Sequence, residues 1–150
     1  MISLPATKKV YSSNPNAPAS EVRYFYDEGY LTVNVGITGY DWPSDPNHRG
    51  NLTRIDQWRN LPSPAWLSTK WEYDHSGSVV KRIEPNLAST TYSYADNCSM
   101  GPGGSTFANV TKVTNALNHE TQIRYDCWIG KPDRIQDANG RVTTAAYNDT

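Results

Sequence analysis

Gly130-Lys131-Pro132-Asp133-Arg134-Ile135-Gln136-Asp137-Ala138-Asn139-Gly140-Arg141-Val142-Thr143-Thr144-Ala145-Ala146-Tyr147 decides the fold. Pro132–Gln136 is a short β-type run, and Thr143, Ala145 and Tyr147 alternate with Thr144, Ala146 and Asn148. Such alternation is the period of a half-buried strand. Asn139-Gly140 between the two runs reads as a type I′ hairpin dipeptide, because both residues tolerate positive φ. The stretch therefore predicts strand, tight turn, strand, with a tyrosine closing the unit.

Working outward, the closing phrase recurs. Tyr73-Asp74, Tyr125-Asp126 and Tyr147-Asn148-Asp149 are clear copies, and Tyr26-Asp27 and Tyr94-Ala95-Asp96 are looser ones. Tyr73 and Tyr94 stand 21 residues apart, and Tyr125 and Tyr147 stand 22 apart. A fixed period of this size means one supersecondary unit used repeatedly. Longer gaps place insertions near residues 28–49, 59–67 and 97–107. Strands are predicted at 69–74, 79–84, 90–95, 109–114, 121–127, 132–136 and 141–148, with no helix of three turns. Trp71, Tyr73, Tyr92, Tyr94, Ile123, Tyr125 and Tyr147 should share one face as a buried packing ladder. The Asp after each Tyr is expected to bond nearby backbone rather than act as an acid or base. The predicted class is all-β: antiparallel hairpins in one curved, spiralling sheet.

Composition agrees with strands and turns. The 150 residues suffice for about one domain. Hydrophobic content is 37%, low for a compact two-layer domain, yet the 10 Tyr and 5 Trp argue against disorder. A net charge of −1 offers no basic field for nucleic acid. No apolar run reaches membrane-span length, so membrane insertion is not expected. Met1–Val10 lacks the apolar core of a signal peptide. The chain stops just after a repeat phrase, which suggests a piece of something longer.

The Gly130–Tyr147 stretch resembles, almost end to end, one YD repeat of the RHS family. That pattern runs Gly, an aliphatic strand, Asp-x-x-Gly-Arg-x-Thr, then Tyr-Asp. Trp71–Tyr94 is similar, with Glu84-Pro85-Asn86 where Asp-x-x-Gly would stand. Arg49–Ile55 and Asn109–Val113 match the first strand, and Asn115–Thr121 the middle, with Asn118-His119-Glu120 replacing Gly-Arg. The likeness covers residues 21–150; residues 1–20 match nothing and are expected to be an extended N-terminal segment. The resemblance implies a structural segment of a secreted or cell-surface bacterial protein. In that family the repeats wall a hollow shell that encloses or presents another polypeptide, such as a polymorphic toxin. The implied partners are further repeats and an enclosed toxin domain. This chain has no region that would close a shell, no self-cleavage site and no toxin domain.

His48, His75 and His119 have no metal-ligand spacing. Gly101–Thr106 is glycine-rich but lacks the lysine of a phosphate loop. Neither an enzyme nor a cofactor is expected. Cys98 and Cys127 follow Tyr94 and Tyr125, near equivalent strand ends. They are either isolated thiols or a disulfide, and the repeat favours the disulfide. The competing function is an adhesin-type module in which Trp42, Trp58, Trp66 and Trp128 stack on a cell-surface glycan or protein.

Overall fold

A computed structural model describes residues 3–14, 16, 18–29, 49–60, 62–96, 98 and 105–148. The protein is all-β, with no helix among these residues. Ten strands follow in chain order as one open antiparallel meander. They are β1 (Thr7–Tyr11), β2 (Pro18–Tyr26), β3 (Leu52–Arg59), β4 (Ala65–Tyr73), β5 (Val79–Ile83), β6 (Ser89–Ser93), β7 (Lys112–Thr114), β8 (Glu120–Tyr125), β9 (Pro132–Gln136) and β10 (Val142–Thr144). Two compact units divide the chain. The first comprises residues 1–32 and 42–88, and the second 33–41 and 89–150. The first carries β1 to β5 and the second β6 to β10. Residues 1–20 contain all of β1 and the start of β2, which pair from Thr7↔Arg23 to Tyr11↔Pro18.

Alternation controls exposure as period two requires. In β4, Trp71 and Tyr73 are half-buried while Lys70 and Glu72 are exposed. In β8, Ile123 and Tyr125 are half-buried while Gln122 and Arg124 are exposed. The packing is shallower than a buried ladder demands. No described apolar side chain is fully buried, and the four buried residues are polar: Thr53, Asp74, His75 and Ser105. Tyr125 is half-buried, and Tyr147, beyond the last strand, is 39% exposed. Within each unit the strands form a single meander. Side chains shelter against their cross-strand neighbours, such as Tyr24↔Ile55, rather than under a second layer.

Three tyrosines sit at register shifts. Phe25 pairs with Arg54 but Tyr26 with Leu52; Glu72 with Lys81 but Tyr73 with Val79; Arg124 with Arg134 but Tyr125 with Pro132. In each case the partner strand carries one extra residue (Thr53, Val80 or Asp133), which is the signature of a β-bulge. The repeat phrase therefore marks a bulge as well as a turn.

The Asn139-Gly140 turn corrects the sequence reading. Gly140 has positive φ (80°), but Asn139 does not, so the turn is not type I′. The Gly140 N–H donates to the Asp137 carbonyl and the Asp137 N–H to the Arg141 carbonyl, both at 3.0 Å. This is a three-residue loop: a type I turn closed by a left-handed residue at a bulge. Asp137 is the cause. Its Oδ1 accepts from the Asn139 and Arg141 N–H groups, each at 2.9 Å. The same backbone pattern recurs at Asp74–Ser78, Glu84–Ala88 and Asn115–His119, with positive φ at Gly77, Leu87 and Asn118.

Strand limits also differ from the sequence reading. Within the stretch 59–67, Arg59↔Ala65 pair in register next to Trp58↔Trp66, so β3 and β4 run on to these positions. Predicted strand 109–114 shortens to Lys112–Thr114, although the Thr111 N–H still donates to the Ser93 carbonyl and its carbonyl accepts from the Ile123 N–H, each at 2.8 Å. Strand 141–148 shortens to Val142–Thr144.

Candidate functional site

The Tyr-Asp phrase performs two jobs. The hydroxyls of Tyr26, Tyr73 and Tyr147 donate to the carbonyls of Pro5 (3.0 Å), Leu52 (2.8 Å) and Pro132 (2.7 Å). Leu52 opens β3 and Pro132 opens β9, so these rings fasten strand beginnings. Burial raises the Tyr73 pKa above its ordinary value, which keeps the hydroxyl protonated as donor.

The aspartates hold backbone N–H groups. Asp74 is fully buried, and its Oδ1 accepts from Ser76 N at 2.8 Å and Ser78 N at 3.0 Å. Asp126 Oδ1 accepts from Trp128 N at 2.9 Å and Ile129 N at 3.3 Å. In the two copies followed by insertions, the carboxylate grips the far side of the inserted segment. Asp27 accepts from Gly50 N at 2.8 Å and Asn51 N at 2.9 Å. Asp96 accepts from Cys98 N at 3.0 Å, Thr106 N at 2.9 Å and Ser105 Oγ at 3.1 Å, and from the Thr106 hydroxyl. Burial opposes ionisation of Asp96, but the bonds from Thr106, Cys98 and Ser105 outweigh it. They hold its carboxyl below the ordinary range. Sequence reasoning missed this clasp; its one signal was the Asp that closes the Tyr-Asp phrase just before each insertion.

Cys98 and Cys127 are bridged, with Cα atoms 5.1 Å apart. The bridge borders an open cleft of about 420 Å³ in the second unit, lined also by Asp96, Lys112, Gln122, Arg124 and Arg134. Arg124 and Arg134 are direct cross-strand partners, and like charges so placed repel. Asp133 relieves them: Arg124 Nε donates to its two oxygens at 2.8 and 3.1 Å. That hydrogen bond holds the Asp133 carboxyl below its usual range and raises the Arg124 pKa. Lys112 pairs with Glu120 at 3.1 Å. Arg134 Nη2 donates to Gln136 Oε1 at 2.8 Å.

Trp58 and Trp66 belong to the first unit and Trp128 to the second. Trp58 and Trp66 pack on each other with ring centroids 5.3 Å apart, and Arg23 lies 4.0 Å over the Trp66 ring. Trp128 is 86% exposed at the β8–β9 turn. Trp42 lies outside the described residues. Tyr94 is half-buried just beyond β6, and its carbonyl accepts from Ser105 Oγ at 3.4 Å. Among the described residues, no group of three or more His, Cys, Asp or Glu could hold a metal ion. No family model matches the chain, and no curated protein is detectably similar to it.

Proposed function

We propose that this chain is a structural β-repeat segment of RHS/YD type, part of a curved wall that encloses or presents another polypeptide at a cell surface or outside the cell. The recurrent unit carries this reading: a tyrosine at a bulge, an Asx residue on backbone N–H groups, and a left-handed residue closing the turn. The polar groups singled out by the sequence mostly serve the backbone, as befits a scaffold. The outer strands β1 and β10 leave edges on which further repeats could add. The Cys98–Cys127 bridge suits an oxidising compartment.

The test is electron microscopy of a longer protein that contains this segment with its neighbouring sequence. The expected image is a hollow β-shell whose interior holds protein. A compact particle without a cavity would contradict the proposal. One observation favours the adhesin reading as the second choice: Trp128, which follows the cleft-lining Cys127 in sequence, is 86% exposed. Under that reading, glycan titration should shift tryptophan fluorescence in the native chain and not in Trp128→Ala.

A further inference from the structure

We infer that the Cys98–Cys127 bridge is a thiol-reactive site, open to exchange with dithiols in the folded protein, and that Cys127 is the sulfur attacked. The inference is independent of the wall reading.

Access is the first reason. Cys127 is exposed, Cys98 is half-buried, and both line the open cleft. Exposed disulfides are the labile ones, whereas structural bridges are shielded from incoming thiolates. Charge does not bar entry. The lining carries Lys112, Arg124 and Arg134 against Asp96 alone, so an anionic thiolate meets no net like charge.

Position is the second reason. The bridge lies outside every ladder that the neighbouring strands need. The β8–β9 turn is closed by Asp126 N–H to the Lys131 carbonyl at 2.9 Å and Gly130 N–H to the Asp126 carbonyl at 2.8 Å. The base of the insertion is held by Asp96 on Ser105 and Thr106. β6 and β7 pair from Thr91↔Thr114 to Ser93↔Lys112 without it. Breaking the S–S bond therefore leaves the hydrogen bonds on both sides in place, and reduction does not require unfolding.

The chemistry balances. One thiolate of the dithiol attacks Cys127 Sγ and forms a mixed disulfide, while Cys98 leaves as a thiolate and takes a proton. The second thiol of the reagent then attacks its own bridged sulfur and releases Cys127. The dithiol ends oxidised to a cyclic disulfide, and the protein gains two thiols. The product is a cleft with one wall no longer tethered across it.

Two measurements on the oxidised chain test this. Reduction by dithiothreitol, followed by mass and by far-UV circular dichroism, should be first order in reagent without a plateau. It should also be nearly insensitive to low urea, with the β signal retained. Reduction that must await global unfolding accelerates about tenfold or more per molar urea and levels off at the unfolding rate; either behaviour overturns the inference. Glutathione trapping, read by peptide mass, should place the mixed disulfide mainly on Cys127. A majority on Cys98, or free thiols in air-oxidised protein, would equally overturn it.

Discussion

The hydroxyl of Tyr73 donates to the carbonyl of Leu52 at 2.8 Å, tying the end of β4 to the start of β3. Tyr147 makes the equivalent bond to Pro132, at the start of β9. The tyrosine thus acts through its polar tip as well as its ring. Tyr73→Phe keeps the ring and removes the bond. It should cost about 1 kcal/mol in urea unfolding, whereas Tyr73→Ala should cost about 2–3 kcal/mol because half-buried aromatic area is also lost. A neutral Tyr73→Phe would mean that the hydroxyl contributes nothing, and equal losses in the two variants would mean that the ring does not.

Leu87 occupies the position that Gly77 and Gly140 fill in sister turns, at φ 67° and 83% exposed. A left-handed conformation costs an L-residue about 1–2 kcal/mol, and this side chain recovers little by burial. Leu87→Gly should raise stability by about 1 kcal/mol despite the entropy glycine adds to the unfolded chain. Thermal melting checks it; destabilisation would show that Leu87 has a packing role.

Asn115 Oδ1 accepts from Leu117 N at 2.9 Å and His119 N at 3.0 Å, the same i+2 and i+4 pattern Asp137 makes. A neutral amide therefore serves where the repeat elsewhere uses a carboxylate. Asp137→Asn should be nearly neutral, and Asp137→Ala should cost about 1 kcal/mol. A large loss in Asp137→Asn, measured by chemical denaturation, would show that the charge matters.

Asp96 gives a pH dependence of known sign. Its folded-state carboxyl ionises below the ordinary range, so the clasp stabilises the protein above the unfolded-state pKa of about 3.9. That contribution falls away as pH drops through the lower, folded-state value. The native chain should lose stability across this acid window more steeply than Asp96→Asn. Identical acid titrations of the two proteins would remove Asp96 as an anchor.

The closed Cys98–Cys127 loop has a sequence separation of 29, for which chain entropy predicts about 3–4 kcal/mol of stabilisation. Cys98→Ala with Cys127→Ala should lower the urea midpoint accordingly. An unchanged midpoint would show that the denatured chain gains no freedom when the bridge is removed.

Much of this fold was legible because it is local. Period-two alternation around Trp71, Tyr73, Ile123 and Tyr125 located the strands, and the recurring tyrosine located the repeat. Turn geometry was less legible. The Asn139-Gly140 dipeptide suggested a two-residue loop, whereas Asp137, three positions before the glycine, sets a three-residue one through its own carboxylate. Leu87 and Asn118 hold left-handed positions that composition alone would not assign to them. The Trp58–Trp66 pair was hidden for a different reason. Hairpin length depends on register across β3 and β4, and the extra residues there look like a loop until the strands are paired. The Asp96 clasp joins residues across an insertion, which spacing does not reveal.

One turn geometry, closed by a left-handed residue, recurs along the chain; an Asx acceptor at its first position sets it at Asp74, Asn115 and Asp137, and Asn86 accepts from Ala88 N in the copy that starts at Glu84. Through-hydrogen-bond scalar couplings in nuclear magnetic resonance read it directly. The account predicts couplings from the N–H of Asp74, Glu84, Asn115 and Asp137 to the carbonyls of Ser78, Ala88, His119 and Arg141. Couplings that instead join Ala138 and Arg141 reciprocally, as a two-residue loop over Asn139-Gly140 requires, would contradict it.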